Sequence, residues 1–445
     1  MKLLVTTFAI LLFFIPTQVV AQTATIPDPA KDLEITHIRV GQGDSTLIEG
    51  PLIDGKRITV LFDAGDRVNR DKGSGKSRDA GNIIRAILKS KGIKEIDYVI
   101  TSHYDADHIG GIVYGRYHGR SFVLGYNDRP GINDGDANNG WVDGYKCWRP
   151  NTQKLGQQNG RGADIKVKHW VDRGNELIPL KNAGVLKYLE MTSAIGTRVT
   201  LSTQDDIDNY SINLGDDAKM TLLAGNGFIR KADTPVKVRT ENERSLSFWV
   251  NYGNFDYLIS GDLIGREHGN EKARVEDAVG RVLAKELNKV GRGEEGIDVL
   301  HVNHHGANNG SEKEFLKSIK PNVAIISTGN GNGHHHPHNE TLERLYDAGV
   351  DRIIQTSWGT TRNYNQGFFA RVMKNKKDVY DDIRGIHSIF QADVTVTANK
   401  KKYTIGTSRT FLHDAIKHET KPTPKTNCDP KPSGLELEWR RKLNL

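Results

Sequence analysis

His103-Tyr104-Asp105-Ala106-Asp107-His108-Ile109-Gly110-Gly111 follows directly on the strand-like run Ile96-Asp97-Tyr98-Val99-Ile100. Four side chains able to hold a metal, His103, Asp105, Asp107 and His108, fall within six positions. Alternate residues leaving a strand end can converge on one point. Imidazole with carboxylate is a donor set that suits zinc, manganese or iron. A polar loop after a strand requires neither two His and two Asp at this spacing nor the Gly-Gly that follows, so the stretch reads as a metal-binding turn.

Outward from it, the pattern is strand, Asp-rich turn, strand, helix, strand. A strand over Leu33 to Val40 ends in Gly41-Gln42-Gly43-Asp44-Ser45, a structural turn rather than a phosphate cradle because no helix start with Lys follows it. Ile58 to Phe62 ends at Asp63-Ala64-Gly65-Asp66, and Ala80 to Lys91 has Ile83, Ile84, Ile87 and Leu88 on one helical face before Gly92. Further on, Tyr257 to Ser260 runs into Gly261-Asp262-Leu263, and a helix is expected over about Lys272 to Val290. The strand Val299 to Val302 delivers Asn303-His304-His305-Gly306. Val323 to Ser327 precedes Gly333-His334-His335-His336-Pro337-His338, and a helix (about Glu340 to Ala348) and the strand Arg352 to Thr356 follow.

Residues 112 to 240 read as a long insertion. Trp141, Tyr145 and Trp148 lie among Lys and Arg, with Trp170 and Arg173 after them. Aromatics among cations can stack on bases or sugars, or they can pin a surface insertion to the body. Residues 371 to 415 read as a β-rich extension, with Ala392 to Thr397 pairing Tyr403 to Ile405, and 416 to 445 as a flexible Lys- and Pro-rich tail.

The chain has 445 residues, enough for a large core. Lys2, the apolar run Leu3 to Ile15, Pro16 and Val19-Val20-Ala21 have the form of a secretory leader over residues 1 to 21, with 22 to 33 as a linker. The alternative is an uncleaved anchor, for which the run is short. No later segment is apolar enough to span a bilayer, so the expectation is a secreted or periplasmic chain with no membrane span once the leader is removed. Export would let Cys147 and Cys428 pair, and the sequence leaves that open; two cysteines are too few for a thiolate metal site. The formal charge of +7 favours anionic partners, such as nucleic acid or a phosphorylated wall polymer.

The order of these motifs resembles the metallo-β-lactamase superfamily over about residues 34 to 370. Asp63 matches the family's first Asp. His103, Asp105, Asp107 and His108 match its His-x-His-x-Asp-His signature with Asp in place of the second His, and Asp262 matches its bridging Asp. His304 and His336 fall near the later ligands. Gly-Gln-Gly-Asp-Ser, His-His-Gly and His-Pro-His narrow the likeness to the branch holding the soluble extracytoplasmic domain of ComEC-type competence proteins and teichoic-acid phosphocholine esterases. The family's third-motif His is absent: that region reads Asn242-Glu243-Arg244-Ser245-Leu246.

The resemblance implies an α/β fold, a four-layer αββα sandwich, here with the insertion and the C-terminal extension. It also implies two divalent ions, zinc or manganese. One would take His103, Asp105 and His304, the other Asp107, His108 and His336, with Asp262 bridging; His305 is an alternative to His304. Asp63 would orient the water or a ligand His, and His338 would donate a proton or meet the substrate. Asp63, Asp107 and His338 are thus the expected catalytic residues. A metal pair about 3.5–4 Å apart can hold a hydroxide and support displacement at phosphorus. The Asp-rich set is harder than an all-His set, which tilts the expectation toward an exported phosphodiesterase or nuclease. Hydrolysis of an ester, lactone or β-lactam is the alternative, and a non-catalytic binding protein that retains the fold is a third reading, against which the complete ligand set argues.

Overall fold

In this computed structural model the described residues are 26–66, 80–113, 121–123, 165–175, 183–194, 196–265, 274–330, 333–359, 386–390 and 392–408. The first strands are β1 (Leu33–His37), β2 (Thr46–Glu49), β3 (Thr59–Phe62) and β4 (Glu95–Thr101), then β5 (Lys166–Asp172) and β6 (Thr197–Thr200). A second set comprises β7 (Ser211–Gly215), β8 (Ala218–Gly225), β9 (Phe228–Ile229), β10 (Ser247–Tyr252) and β11 (Phe255–Ser260), then β12 (Val299–His301), β13 (Val323–Ile326), β14 (Arg352–Gln355) and β15 (His387–Ile389). β16 (Asp393–Ala398) and β17 (Tyr403–Ser408) close the series.

One sheet has eight strands in the order β17-β16-β1-β2-β3-β4-β5-β6; the other has nine, β15-β14-β13-β12-β11-β10-β8-β7, with β9 on β8. The hairpin-linked strands are antiparallel, whereas β3 to β6 and β11 to β15 are parallel. Parallel strands covered on both faces read as continuous apolar runs rather than alternating ones, which is why Val323–Ile326 and Thr59–Phe62 are buried at every position.

Three apolar layers result. Ile35, Val60, Phe62 and Ile100 from the first sheet meet Met220, Phe248, Val250 and Ile259 from the second, forming the core between the sheets. Outside the first sheet, Leu61, Val99 and Trp170 pack on Ile83, Ile84 and Ile87 of α1 (Ala80–Ser90) and on Tyr188 and Leu189. The last two belong to the helix α3 (Ala183–Ala194); between it and α1 in sequence lies α2 (Ala106–Ile109), a single turn. The short helix α4 (Gln204–Asn209) is opened by a capping box between Thr203 and Asp206. Outside the second sheet lie α5 (Val275–Lys289), α6 (Lys313–Ile319) and α7 (Asn339–Asp347), which bury Val279, Leu283, Phe315 and Leu345. The order of layers is αββα, the four-layer sandwich of the metallo-β-lactamase fold. Among the described residues no helix is long and apolar enough to cross a membrane.

Two sequence expectations need correction. The span 112–240 is not an insertion throughout: β5 pairs with β4 from Glu95↔Lys166 to Thr101↔Asp172, and β8 pairs with β10 in the other sheet. Trp170 is fully buried in the core and offers nothing to a base or sugar, while Trp141, Tyr145 and Trp148 lie outside the described residues. The hairpin after residue 390 is no appendage either. β16 pairs with β1 from Leu33↔Ala398 to His37↔Val394, and Val394, Val396 and Ala398 enter the core between the sheets. Burial of an edge strand's partner explains the change: without β16, β1 would present an open edge. The leader, Cys147, Cys428 and the tail from 416 also lie outside the described residues.

A chain ending at Phe390 is therefore expected to lose its cooperative unfolding transition, followed by circular dichroism in urea. A midpoint equal to that of the full chain would show that the hairpin is a dispensable addition.

Candidate metal centre

Strand ends from both sheets meet at one edge of the sandwich. β3 ends at Phe62, and Asp63 follows in the left-handed region (φ 56°); β4 ends at Thr101, and the chain turns through Ser102 and His103 into α2. β11 delivers Asp262, while β12 delivers His304 and His305. The turn before β2 brings Asp44. Two close approaches make this possible. A Cβ on Gly43, whose φ is +100°, would lie 2.0 Å from the carbonyl oxygen of Asp107, and one on Gly261 would lie 2.2 Å from Ser102 Oγ.

Asp262 is at the centre. Its Oδ1 lies 3.2 Å from His108 Nε2 and 3.5 Å from His305 Nε2; its Oδ2 lies 3.6 Å from His304 Nε2 and 3.9 Å from His103 Nε2. Each oxygen thus faces its own pair of imidazoles. On the Oδ2 side, Asp105 Oδ2 is 3.5 Å from His103 Nε2. On the Oδ1 side, Asp107 lies 3.3 Å from His305 Nε2 and 3.9 Å from His108 Nε2. The result is two nests sharing one carboxylate: His103, Asp105 and His304 around one oxygen, Asp107, His108 and His305 around the other.

The backs of the rings decide which nitrogen faces inward. His108 Nδ1 is 2.8 Å from Asp63 Oδ2, an acceptor, so Nδ1 carries the proton. Ser102 Oγ donates to the same carboxylate at 2.7 Å, so it accepts from His103 Nδ1 at 3.0 Å. His305 Nδ1 donates to the carbonyl of Ser327 at 3.2 Å. His304 Nδ1 meets Asn309 Oδ1 at 3.0 Å, and Asn242 Nδ2 approaches its Nε2 at 3.2 Å. All four rings therefore turn Nε2 toward Asp262, as metal-binding histidines held from behind do.

A metal fits this arrangement. The Nε2 atoms of His103, His108 and His305, with Oδ1 of Asp262, are buried and have no hydrogen-bond partner among the described residues. Asp44, His108, Asp262 and His305 each bring a ligand atom within 4.8 Å of one another. Asp44 itself meets the back of the site: its Oδ1 is 3.5 Å from His305 Nδ1 and 3.1 Å from His301 Nε2. The electrostatics point the same way. Burial pushes His108 down, but Asp262 and Asp63 outweigh it and hold the ring well above the usual imidazole range. His305 behaves alike, raised against burial by Asp44 and Asp262. Burial would raise Asp262, yet His108, His305 and His304 hold it well below the carboxylate range. The site thus draws positive charge into its centre, the place a divalent cation would fill.

The loop bearing His304 and His305 is strained. Both are left-handed, at φ 51° and 53°, a conformation that costs a non-glycine residue about 1–3 kcal/mol. Contacts from two helices hold it there. Glu276 of α5 accepts from Asn303 Nδ2 at 2.6 Å and from the N–H groups of Ser311 and Glu312 at 2.7 and 3.1 Å. Arg344 of α7 donates to the carbonyls of Ser311, Asn308 and Gly310, and Thr341 to that of Ala307. Near His103, Glu241 accepts from Tyr104 N at 2.9 Å and is gripped by Arg173 at 2.6 and 2.7 Å, which accounts for Arg173 as an internal ion pair.

Against the sequence expectations, the structure brings together His103, Asp105, Asp107, His108, Asp262 and His304. It replaces the choice between His304 and His305 with both, one at each oxygen of Asp262. His336 stands beside the nests, its ring centroid 5.3 Å from that of His304 and 5.8 Å from that of His305, so the position assigned to it in the second nest is filled by His305. Burial and the neighbouring His305 and His304 push His336 down to about 2. His338 lies a further 5.2 Å from His336. Sequence reasoning missed Asp44, taken as a plain turn residue, along with Gln42, whose amide donates to Asp107 Oδ2 at 3.0 Å, and Asn309. Asn242, in the region where the family's third-motif His is absent, proves to touch His304.

Fold and site together define the class. The chain carries a metallo-β-lactamase domain, the fold of a superfamily of hydrolases, with a candidate metal-binding site; residues 38–120 match the Metallo-beta-lactamase superfamily. Among curated proteins it is distantly similar to ComE operon protein 3 of Bacillus subtilis (strain 168), 23% identical over 336 residues, which is 74% of this chain and 33% of that protein. Recombination protein 2 of Haemophilus influenzae is 32% identical over 111 residues, 25% of this chain and 12% of its own length. The chain thus spans a third or less of the length of these relatives. Of solved structures, a diphosphatase from the PhnP family aligns at 13% identity and a TM-score of 0.28, covering 72% of this chain and 85% of that one. The isothiocyanate hydrolase from Delia radicum gut bacteria aligns at 11% and 0.31, covering 84% and 100%.

Two outcomes follow from the site. Asp63→Asn removes the acceptor behind His108 and Ser102, and is expected to weaken divalent-ion affinity about 10–100-fold in a calorimetric titration; unchanged affinity would count against the arrangement. Burial pushes Glu276 up to about 7 from 4.5, against its hydrogen bonds. A carboxyl raised on folding stabilises fully below its unfolded value, and that share is lost as pH rises through the folded one. Glu276→Gln should therefore remove about 3 kcal/mol of the decline in unfolding free energy across this window. Urea denaturation at a series of pH values measures it, and a slope equal to that of the parent would clear Glu276 of the role.

Proposed function

We propose that this chain is an exported, metal-dependent hydrolase of phosphoric ester bonds, acting on phosphodiesters in nucleic acid or in a phosphorylated wall polymer. The observation that carries this reading is the pair of nests built on the two oxygens of Asp262, each with its own second carboxylate, Asp105 or Asp107. Two divalent cations held there, zinc or manganese, would supply Lewis acidity and an activated water for in-line displacement at phosphorus. Hard, carboxylate-rich donor sets favour ions that bind phosphate oxygens.

The chain's own residues account for the rest. Asp63 fixes the tautomers of His103 and His108, directly or through Ser102. Asp105, at 45% the most exposed member of the nests, marks the side from which substrate enters. His336, neutral in this setting, forms a wall beside His304. The backbone N–H of Asn308 donates to His338 Nδ1 at 3.0 Å, so in the neutral ring the proton sits on Nε2, where it can be donated to a leaving alkoxide or an anionic oxygen. The likeness to the ComEC branch and the basic composition support a polyanionic substrate, and the leader-like residues 1–21 support export.

The metal-supplemented chain is expected to turn over bis-p-nitrophenyl phosphate and at least one of p-nitrophenyl phosphocholine and single-stranded DNA. EDTA should abolish the activity, and zinc or manganese should restore it. Asp262→Ala is expected to lower it roughly 100-fold or more. Turnover of nitrocefin alone would overturn the phosphodiester reading, and undiminished activity in Asp262→Ala would overturn the site.

A further inference from the structure

The two nests share Asp262 and match in donor types, but they differ in everything behind and around the donors. In the nest of Asp107, His108 and His305, the side chains of the three are 23%, 0% and 2% exposed. In the nest of His103, Asp105 and His304, Asp105 is 45% exposed and His304 17%, while His103 is fully buried. Support follows the same division. Asp107 is held by the amide of Gln42 at 3.0 Å, whereas Asp105, at the start of α2, makes no capping hydrogen bond with its side chain. Both deep histidines have a carboxylate near Nδ1: Asp63 at 2.8 Å from His108, and Asp44 at 3.5 Å from His305, beside the Ser327 carbonyl to which His305 donates at 3.2 Å. Both outer histidines have a neutral partner there, Ser102 Oγ for His103 and the amide of Asn309 for His304, each at 3.0 Å.

We infer that the site is built unequal: the deep nest of Asp107, His108, His305 and Asp262 takes the first divalent ion and retains it, the outer nest takes a second and exchangeable one, and Asp44 is the positioning residue that sets the difference. This rests on the two-ion reading of the site. A carboxylate behind an imidazole raises the basicity of the opposite nitrogen and fixes the ring, and removing such a partner weakens metal binding 10–100-fold. Asp44 is placed for this work. It is buried, it comes from the Gly43-Asp44 turn that touches the backbone of Asp107, and its second partner, His301 at 3.1 Å, ties it to β12 of the opposite sheet. Burial of the deep nest adds to its retention, because His108 and His305 are closed to solvent while Asp105 of the outer nest is 45% exposed.

The test is a calorimetric titration of the full chain, stripped with EDTA, using manganese alone and then zinc alone. The parent is expected to bind two ions in steps at least about tenfold apart. Asp44→Asn should weaken the tighter step about 10–100-fold and leave the weaker one in place. Asn309→Asp, at a partly exposed position, puts a carboxylate behind His304 and should tighten the weaker step. Two indistinguishable steps in the parent, loss confined to the weaker step in Asp44→Asn, or an unmoved weaker step in Asn309→Asp would each overturn the inference while leaving two ions in place. Saturation at one ion would overturn the two-ion reading itself. Circular dichroism melts separate weakened binding from misfolding, and if Asp44→Asn does not fold, the parent and Asn309→Asp still decide.

Discussion

A carboxylate buried where two sheets meet sets the terms for the rest of this molecule. Asp262 ends a strand of one sheet and faces His103 and His108 from the other, so its charge is removed from water and must be met by protein groups or a cation. Four imidazoles meet it, two on each oxygen. Every ring presents the same nitrogen because a donor or acceptor behind it holds the other. The geometry is over-determined from outside inward, and this lets two adjacent histidines persist in a left-handed backbone.

The sandwich supplies that rigidity. Its core between the sheets is continuous from β1 and β16 across to the strands that carry Asp262 and His304, so the strand ends cannot shift independently. Polar groups that serve the site grow out of this scaffold at defined depth: Asp63 from one sheet, Asp44 from the turn beside it, Glu276 and Arg344 from helices packed outside the other. Stability and chemistry draw on the same residues. Glu276 is a buried carboxyl kept for the hydrogen bonds it gives the strained loop, at a cost in stability as it ionises.

The metal-binding turn was legible because its information is local. Four ligand-type residues crowded into six positions after an apolar strand put carboxylates and imidazoles close together, an arrangement that a cation stabilises and a plain loop does not need. Asp63, Asp262 and the His-His-Gly sequence each follow a recognisable strand. The layers were legible through the order of these motifs, whose resemblance to the metallo-β-lactamase superfamily implied the αββα sandwich. Asp44 was not, because one Asp in a glycine turn carries no signal until the turn is folded onto Asp107. The part played by His305 was hidden in the same way: adjacent residues normally point apart, and only a left-handed pair turns both rings toward Asp262.

By itself, then, the amino-acid sequence determined the sandwich, the strand ends at which the chemistry sits, and the residue types available there, since these depend on local pattern and on motif order. Tertiary structure alone decided which histidine meets which oxygen, that β16 completes the first sheet, and that one nest is deep and backed by carboxylates while the other is open. Those facts depend on side-chain contacts between segments hundreds of residues apart, such as Asp44 with His301, and no local pattern encodes such contacts.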